Sequence, residues 1–320
     1  MYKNLQKLIR WQEWFDTKLP LIVMIAYYAN LRYQQPIWDA TIRICLYGAG
    51  LLAFGYLVND ISDQEPDRLV GKQRVVHQLS RIQAWSTTIT IVLIMIISLW
   101  PYFLRQPFIV SMSFIFSICV AMAYSLYPFR LKERGWLGLV TASAAQRSIP
   151  AFVAAICLYT LDLVILAILL VYFLNGLRYI ILHQVMDAQN DRIAKLQTYM
   201  LTGNRLSVSR TYLSLLLLGE IIILMIIPLG MPINLRWVNL TFWPFGLYWI
   251  LRLIFQKQNA YPLTFDQTPL QTFYFVIWPF SLIIAGSLFN PAMWALFIIE
   301  VLWKRRLLNQ FIRRLKTSDE

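Results

Sequence analysis

Recurring apolar segments of nearly membrane-spanning length are the feature that most restricts how this chain folds. A bilayer core of about 30 Å requires roughly 20 helical residues, so polar residues must extend the shorter segments. The pattern predicts an all-α, polytopic membrane bundle of about nine transmembrane helices. A further apolar piece, Pro291–Trp303, follows directly and leaves eight or ten spans as alternatives. The nine segments are Leu19–Gln34, Thr41–Val58, Ala84–Trp100, Phe108–Tyr124, Trp136–Leu158, Leu161–Leu182, Tyr212–Leu229, Trp237–Phe255 and Thr272–Leu288.

Composition agrees with a membrane protein and argues against other classes. Only 14% of the residues are charged, whereas soluble proteins carry about 25%. The net charge of +13 can indicate nucleic-acid binding in a soluble chain. Here the excess of apolar residues indicates a membrane protein whose positive charges lie in loops beside the lipids. No nucleic-acid partner is therefore expected. The three cysteines lie in apolar segments and predict neither a disulfide framework nor a zinc site.

The charges divide the chain into three parts and its loops into two sides. Residues 1–18 are basic and aromatic and predict an amphipathic surface segment. Residues 19–303 form the predicted membrane domain, and residues 304–320 form a basic tail.

The loops on one side of the predicted membrane contain 17 lysines and arginines. The positive-inside rule therefore predicts that these loops, which carry the motifs described below, are cytoplasmic. An odd number of spans conflicts with this rule, because it leaves the basic tail outside. The loops concerned are residues 1–18, 59–83, 128–135, 183–210 and 252–271.

Two acidic motifs follow the second and the sixth apolar segments. In the first motif, Asn59, Asp63 and Asp67 are spaced by four residues and share one stripe of a helix. In the second motif, Asp187 and Asp191 continue a polar stripe that begins at Tyr179 and includes His183 and Lys195. Polar groups at the end of a membrane helix are costly and usually face a cavity or a partner.

Together the motifs predict a diphosphate site at the membrane surface. Oxygen ligands in this arrangement suit Mg²⁺ that is held jointly by carboxylates and phosphate groups. Basic residues nearby neutralise the remaining phosphate charge. A membrane cavity beside such a site has room for a long apolar tail, which is what a prenyl diphosphate requires.

The motifs resemble those of the UbiA superfamily of intramembrane prenyltransferases. That family has an N-x-x-x-D-x-x-x-D motif after its second helix and a D-x-x-x-D motif after its sixth. It also has a tyrosine and a lysine in the loop after its fourth helix. Here that loop contains Tyr124, Tyr127, Arg130 and Lys132, which leaves the choice of tyrosine and basic partner open.

The resemblance implies a role for each residue that matches the family's motifs. The bound Mg²⁺ is expected on Asn59, Asp63, Asp67, Asp187 and Asp191. The diphosphate is expected on Arg68, Lys72, Arg130, Lys132 and Lys195, with Tyr127 nearby. Asp60, His183 and Gln184 are secondary candidates for positioning the acceptor or transferring a proton.

Two charges lie deeper in the predicted spans. Arg147 is 11 residues beyond Trp136, and Glu220 is eight residues beyond Tyr212. One interpretation is a buried ion pair between the two. The alternative is that Arg147 lines the cavity and contacts the substrate, while Glu220 has another partner.

The expected function is therefore Mg²⁺-dependent transfer of a prenyl group from its diphosphate to an unidentified apolar or aromatic acceptor. A membrane terpene cyclase and a phosphoribosyl transfer to a polyprenyl phosphate are the alternatives within the same fold. A lipid or isoprenoid transporter is the alternative from another class. Transporter sites usually lie nearer the bilayer midplane, so two acidic motifs on one side favour the enzyme.

Overall fold

A computed structural model describes residues 2–193, 199, 201, 209–231, 242–255 and 272–317. Every regular element within these ranges is helical, and the ranges contain no strand. Six of the helices in the described part of the chain are long and apolar enough to cross a membrane. These observations confirm the predicted all-α membrane fold. The count of nine spans stays a prediction, because residues 232–241 and 256–271 lie outside the described ranges.

The described helices follow the predicted apolar segments closely. A wide helical turn, Ala144–Ser148, joins the helices Trp136–Ser143 and Ile149–Cys157 into a single span. A similar wide turn, Phe273–Ile277, leads into the helix Trp278–Ser287. The helices are α1 (Tyr2–Leu8), α2 (Leu19–Tyr33), α3 (Ile37–Ser62), α4 (Gln64–Leu69), α5 (Arg81–Arg105), α6 (Pro107–Ser125), α7 (Trp136–Ser143), α8 (Ile149–Cys157), α9 (Leu163–Ile193), α10 (Ser209–Gly230), α11 (Phe242–Phe255), α12 (Trp278–Ser287) and α13 (Met293–Thr317).

Helix packing places α3 and α9 at the centre of the bundle. α3 contacts α2, α5 and α6, and α9 contacts α7 and α10. Large side chains such as Tyr47 and Tyr172 are buried between these helices, while apolar residues such as Ile97 and Phe108 remain on the outside. An apolar outer surface is what a lipid environment requires. The two helices that carry the aspartate motifs are therefore also the best-packed ones.

Described residues near both ends of the chain are buried. Trp14 is only 1% exposed, and its indole N–H donates to the carbonyl of Ile9 at 2.7 Å. At the other end, α13 continues through the predicted boundary at residue 304, and Lys304 is fully buried. A turn after Ser287 separates α12 from α13, so Pro291–Trp303 does not prolong the preceding span.

Candidate active site

The first aspartate motif lies where α3 passes into α4. The backbone N–H of Asp63 donates to the carbonyl of Asn59 at 2.9 Å, and that of Asp67 donates to Asp63 at 2.8 Å. Four-residue helical spacing therefore continues across the break. Pro66 lies in the first turn of α4, where its missing N–H has no helical partner to lose. As a result, Asn59, Asp63 and Asp67 all line one cavity.

The second motif reaches the same cavity from α9. Asp187 and Asp191 both line it, because α9 continues without a break to Ile193 and carries the polar stripe beyond the apolar part of the span. His183 Nδ1 lies 3.4 Å from an Asp187 carboxylate oxygen, one helical turn away. We call this space, which has a volume of 320 Å³, the motif cavity.

The motif cavity has an excess of negative charge. Among the described residues that line it, seven carry carboxylates and four carry guanidinium or ammonium groups. The carboxylates belong to Glu13, Asp60, Asp63, Asp67, Glu133, Asp187 and Asp191. The cations belong to Arg10, Lys72, Arg74 and Lys132.

This set of oxygen donors fits Mg²⁺. In the part of the chain that the structure describes, no three His, Cys, Asp or Glu side chains are close enough to hold a metal ion by themselves. Mg²⁺ usually takes only one or two carboxylates and completes its shell with water and substrate phosphates. Carboxylates spread around a cavity are therefore suited to a metal that arrives with a diphosphate.

The basic loop after α6 contacts the first motif directly. The Lys132 ammonium donates to Asp63 and, at 3.1 Å, to the side-chain oxygen of Asn59. Burial lowers the pKa of Lys132, although the neighbouring Asp63 carboxylate acts in the opposite direction. Lys132 therefore occupies the position where a cation can meet both the motif and a bound phosphate.

Arg130 stands beside Lys132 and is buried. It donates to Glu133 at 2.6 Å and to Asp63 at 3.3 Å. Burial disfavours its charge, but the hydrogen bond to Glu133 and the two carboxylates outweigh that effect and raise its pKa. Its backbone has a φ of 38°, a left-handed conformation that non-glycine residues rarely adopt. The loop thus turns sharply to present both cations to Asp63.

Several predicted residues lie elsewhere. Tyr127 is 75% exposed, and its ring packs against the Arg130 guanidinium at 4.9 Å. Tyr124, by contrast, lines the motif cavity. Arg68 is exposed and is not among the described residues that line this cavity. Lys72, Asp60 and Gln184 do line it, while Lys195 lies outside the described residues.

A second space, which we call the deep cavity, adjoins the motif cavity. It has a volume of 440 Å³ and shares Asn59, Tyr124 and His183 with the motif cavity. Its walls include Leu51 of α3, eight residues or about 12 Å before Asn59 along the helix. The deep cavity therefore extends from the motifs toward the interior of the bundle.

Arg147 lines the deep cavity and does not pair with Glu220. The Glu220 carboxylate instead accepts from Arg178 at 2.6 Å, from Asn175 at 3.1 Å and from Tyr274 at 2.8 Å. Arg147 donates to the side-chain oxygen of Asn175. The predicted Arg147–Glu220 ion pair is therefore absent from the described network. The alternative geometry is found, while contact between Arg147 and substrate stays a prediction.

Sequence reasoning missed several cations because it assigned them to membrane topology. Arg10 donates to Asp60 at 3.0 Å, and Arg74 lies 3.6 Å from Asp67. Burial lowers the pKa of Arg10, but Asp60 reverses the effect and raises it overall. Arg178 was missed as well, although an arginine within the predicted apolar span Leu161–Leu182 is a signal for a buried ion pair.

The chain is similar to known proteins in both sequence and fold. The family model described as the UbiA prenyltransferase family matches residues 19–277. A UbiA homologue from Archaeoglobus fulgidus bound to DMAPP and Mg²⁺ has a TM-score of 0.66 at 16% identity, covering 88% of this chain and 96% of its own. The same homologue bound to GPP and Mg²⁺ has a TM-score of 0.66 at 17% identity, covering 88% and 98%.

A third structure, from work on digeranylgeranylglyceryl phosphate synthase in membranes, has a TM-score of 0.63. Its identity is 12%, and the match covers 89% of this chain and 98% of that one. At such identities these likenesses concern the fold alone. Curated protein sequences give no significant match.

Proposed function

Because this chain belongs to the UbiA prenyltransferase family, we propose that it transfers a prenyl group from a prenyl diphosphate to an apolar or aromatic acceptor with the help of Mg²⁺. The excess of carboxylates in the motif cavity is the observation that carries this proposal. A diphosphate is itself strongly negative, so an acidic cavity repels it unless divalent cations are present. Two aspartate motifs that line one cavity supply the carboxylates that would hold such cations.

The proposed metal ligands are Asn59, Asp63, Asp67, Asp187 and Asp191. These residues would hold Mg²⁺, which when bound would supply positive charge that stabilises the leaving diphosphate.

The cations of this chain bind and orient the leaving group. Lys72 and Lys132 line the motif cavity, and charge-assisted hydrogen bonds from such groups are the stronger ones. Arg130 is held beside them by Glu133. Lys195, which follows the second motif, and the exposed Arg68 complete the proposed set. His183 lines both cavities, and Gln184 lines the motif cavity. Both residues are proposed to position the acceptor.

The deep cavity is proposed to receive the prenyl chain. Leu51, Leu52 and Ala121 give it an apolar wall, which excludes water from a reacting carbocation. Tyr56, Tyr124 and Tyr179 line the same space, and aromatic faces attract cations. The prenyl chain would therefore lie against the apolar and aromatic walls of the deep cavity, while its diphosphate lies in the acidic motif cavity.

Turnover assays separate the candidate functions. We expect purified protein in lipid nanodiscs to release diphosphate from DMAPP or GPP only with Mg²⁺, and to prenylate members of a panel of phenols and polar lipids. Release without acceptor, together with a cyclic hydrocarbon, would favour a cyclase. Transport of the prenyl diphosphate across vesicles without cleavage would overturn the enzyme in favour of a transporter.

The side of the membrane on which the motifs lie is also a proposal. The positive charge of loops 59–83 and 128–135 predicts a cytoplasmic position. In a variant lacking Cys45, Cys119 and Cys157, we expect single cysteines at Gln73 and Phe129 to react from the cytoplasmic side. A cysteine at Leu161, in the loop between α8 and α9, is the control and should react from the other side. Labelling of Gln73 from the same side as Leu161 would contradict the proposed orientation.

A further inference from the structure

The last helix of the chain, α13, reverses the direction of α12. α12 ends at Ser287 and α13 begins at Met293, and Gly286 lies against both Met293 and Leu31. Leu31 is near the end of α2, just before α3 begins, and the first aspartate motif lies at the other end of α3. The start of α13 is therefore on the side of the bundle opposite to the motifs.

Contacts further along α13 follow α2 backwards. The Tyr27 hydroxyl donates to the Glu300 carboxylate at 2.6 Å, and the rings of Phe15 and Trp303 are 5.0 Å apart. The partners of α13 thus change from the end of α2 to the N-terminal segment, whose Arg10 lines the motif cavity. α13 therefore returns to the motif side of the bundle, and the basic tail begins on that side.

The part of α13 that follows Trp303 is strongly basic. Residues 304–317 contain six lysines and arginines, and no acidic residue lies between Glu300 and Asp319. Lys304 is fully buried, which leaves the other five cations without a carboxylate in their own stretch of helix. The stretch is about 20 Å long at 1.5 Å per residue. It is therefore long enough to pass through the headgroup layer on the motif side.

This stretch of α13 has one basic and one apolar face. Leu307 packs against the hydrophobic core, whereas Arg305 and Asn309 are exposed. At 100° per residue, helical periodicity assigns two sets of residues to opposite arcs of about 100° each. The basic arc contains Arg305, Arg306, Arg313 and Lys316. The apolar arc contains Leu307, Leu308, Phe311 and Leu315. A basic amphipathic helix beside a bilayer is typical of contact with lipid headgroups.

We propose that the basic face of α13, made of Arg305, Arg306, Arg313 and Lys316, binds the headgroups of anionic lipids in the leaflet on the motif side. Because this stretch continues a helix that packs in the bundle, it is held beside the membrane, where lipid headgroups are the nearest anions. Basic residues close to an anionic surface are attracted to it. A topology signal alone would need positive charge but no separation into two faces.

Lipid enrichment beside the helix tests this proposal without any turnover. Full-length protein that lacks Cys45, Cys119 and Cys157 receives a bimane fluorophore on a single cysteine at Asn309. In nanodiscs of phosphatidylcholine, its quenching by nitroxide-labelled phosphatidylglycerol is compared with that by equally labelled phosphatidylcholine. We expect the anionic lipid to be enriched about fivefold or more, the factor that one basic residue contributes. A fluorophore at Leu161 is the control and should show equal quenching.

Substitutions separate the basic face from the total charge of the motif side. The triple variant with glutamine at Arg305, Arg306 and Arg313 should lose most of the enrichment. Lysine at the same three positions should preserve it, because the attraction depends on charge. The matched control removes three exposed cations of other loops on the motif side and should leave the enrichment unchanged. These cations are Lys7, Arg81 and Arg192.

Three results would overturn the lipid site. The first is equal quenching by the two lipids in the wild type at low salt. The second is an enrichment that persists in the glutamine variant or in about 1 M salt, where screening removes such attraction. The salt series uses the wild type and so decides the question even if the glutamine variant does not fold. The third is labelling of a cysteine at Asn309 from the same side as Leu161, which would contradict the course of α13.

Discussion

Replacing Asp187 by asparagine is expected to lower Mg²⁺-dependent release of diphosphate by at least about a hundredfold, because a metal ion contributes several kcal/mol to the stabilisation of developing charge. Asp187 lines the motif cavity, and its side chain is 33% exposed, with the His183 ring nitrogen Nδ1 3.4 Å from its carboxylate. The substitution therefore removes a proposed metal ligand with little effect on packing. Excess EDTA should have the same effect on the wild type.

Asp187 is a better position than Asp63 for this experiment, because a substitution at Asp63 would disturb more contacts. The Asp63 carboxylate accepts from Lys132 and Arg130, so its loss would also remove one carboxylate partner from each of two cations. Glu65→Gln is the matched control, since Glu65 is an exposed carboxylate of α4 and is absent from the described lining of the motif cavity. Steady-state release of diphosphate is the measurement. Full activity of Asp187→Asn, or of the wild type in EDTA, would disprove the metal site.

The second large effect is expected on stability, at Glu220. Its carboxylate is fully buried and accepts hydrogen bonds from Arg178, Asn175 and Tyr274. In Glu220→Gln the Arg178 guanidinium loses its counter-charge, which typically costs about 3–5 kcal/mol for a buried pair. Reversible unfolding in mixed micelles with increasing SDS measures this loss.

An exposed ion pair provides the contrast. Asp39 and Arg43 lie 2.6 Å apart, one turn from each other on α3, and the Asp39 side chain is 55% exposed. Asp39→Asn should change the free energy of unfolding by less than about 1 kcal/mol, as exposed pairs usually do. If both substitutions have equal effects, the buried network does not stabilise the bundle in the way that we infer.

Some features of the candidate site could be predicted from the sequence, and others could not. The position of Asp187 and Asp191 at the end of a long apolar segment was predictable, because a four-residue spacing on a helix is a local property. The sequence did not identify the partner of Glu220, because Arg147 and Arg178 are both arginines within predicted apolar spans. The sidechain contacts of α7, α9 and α10 decide between them.

The role of the basic residues in the N-terminal segment could not be predicted from the sequence either. Its lysines and arginines obey the positive-inside rule, and composition alone cannot separate a topology signal from a binding group. Lys18 proves to line the deep cavity because residues 9–18 fold back against the bundle, with Trp14 buried beneath them. That burial depends on contacts with distant helices.

By itself the sequence determined the all-helical membrane fold and the helix ends on which the two aspartate motifs lie. Bilayer thickness and helical periodicity act on consecutive residues, so both leave their pattern in a single segment. Only the tertiary structure decided that Lys132 contacts Asp63, that Arg178 pairs with Glu220, and that Lys18 and Arg147 line the same cavity. These pairs are between residues far apart in the chain, and the packing of one helix on another selects them.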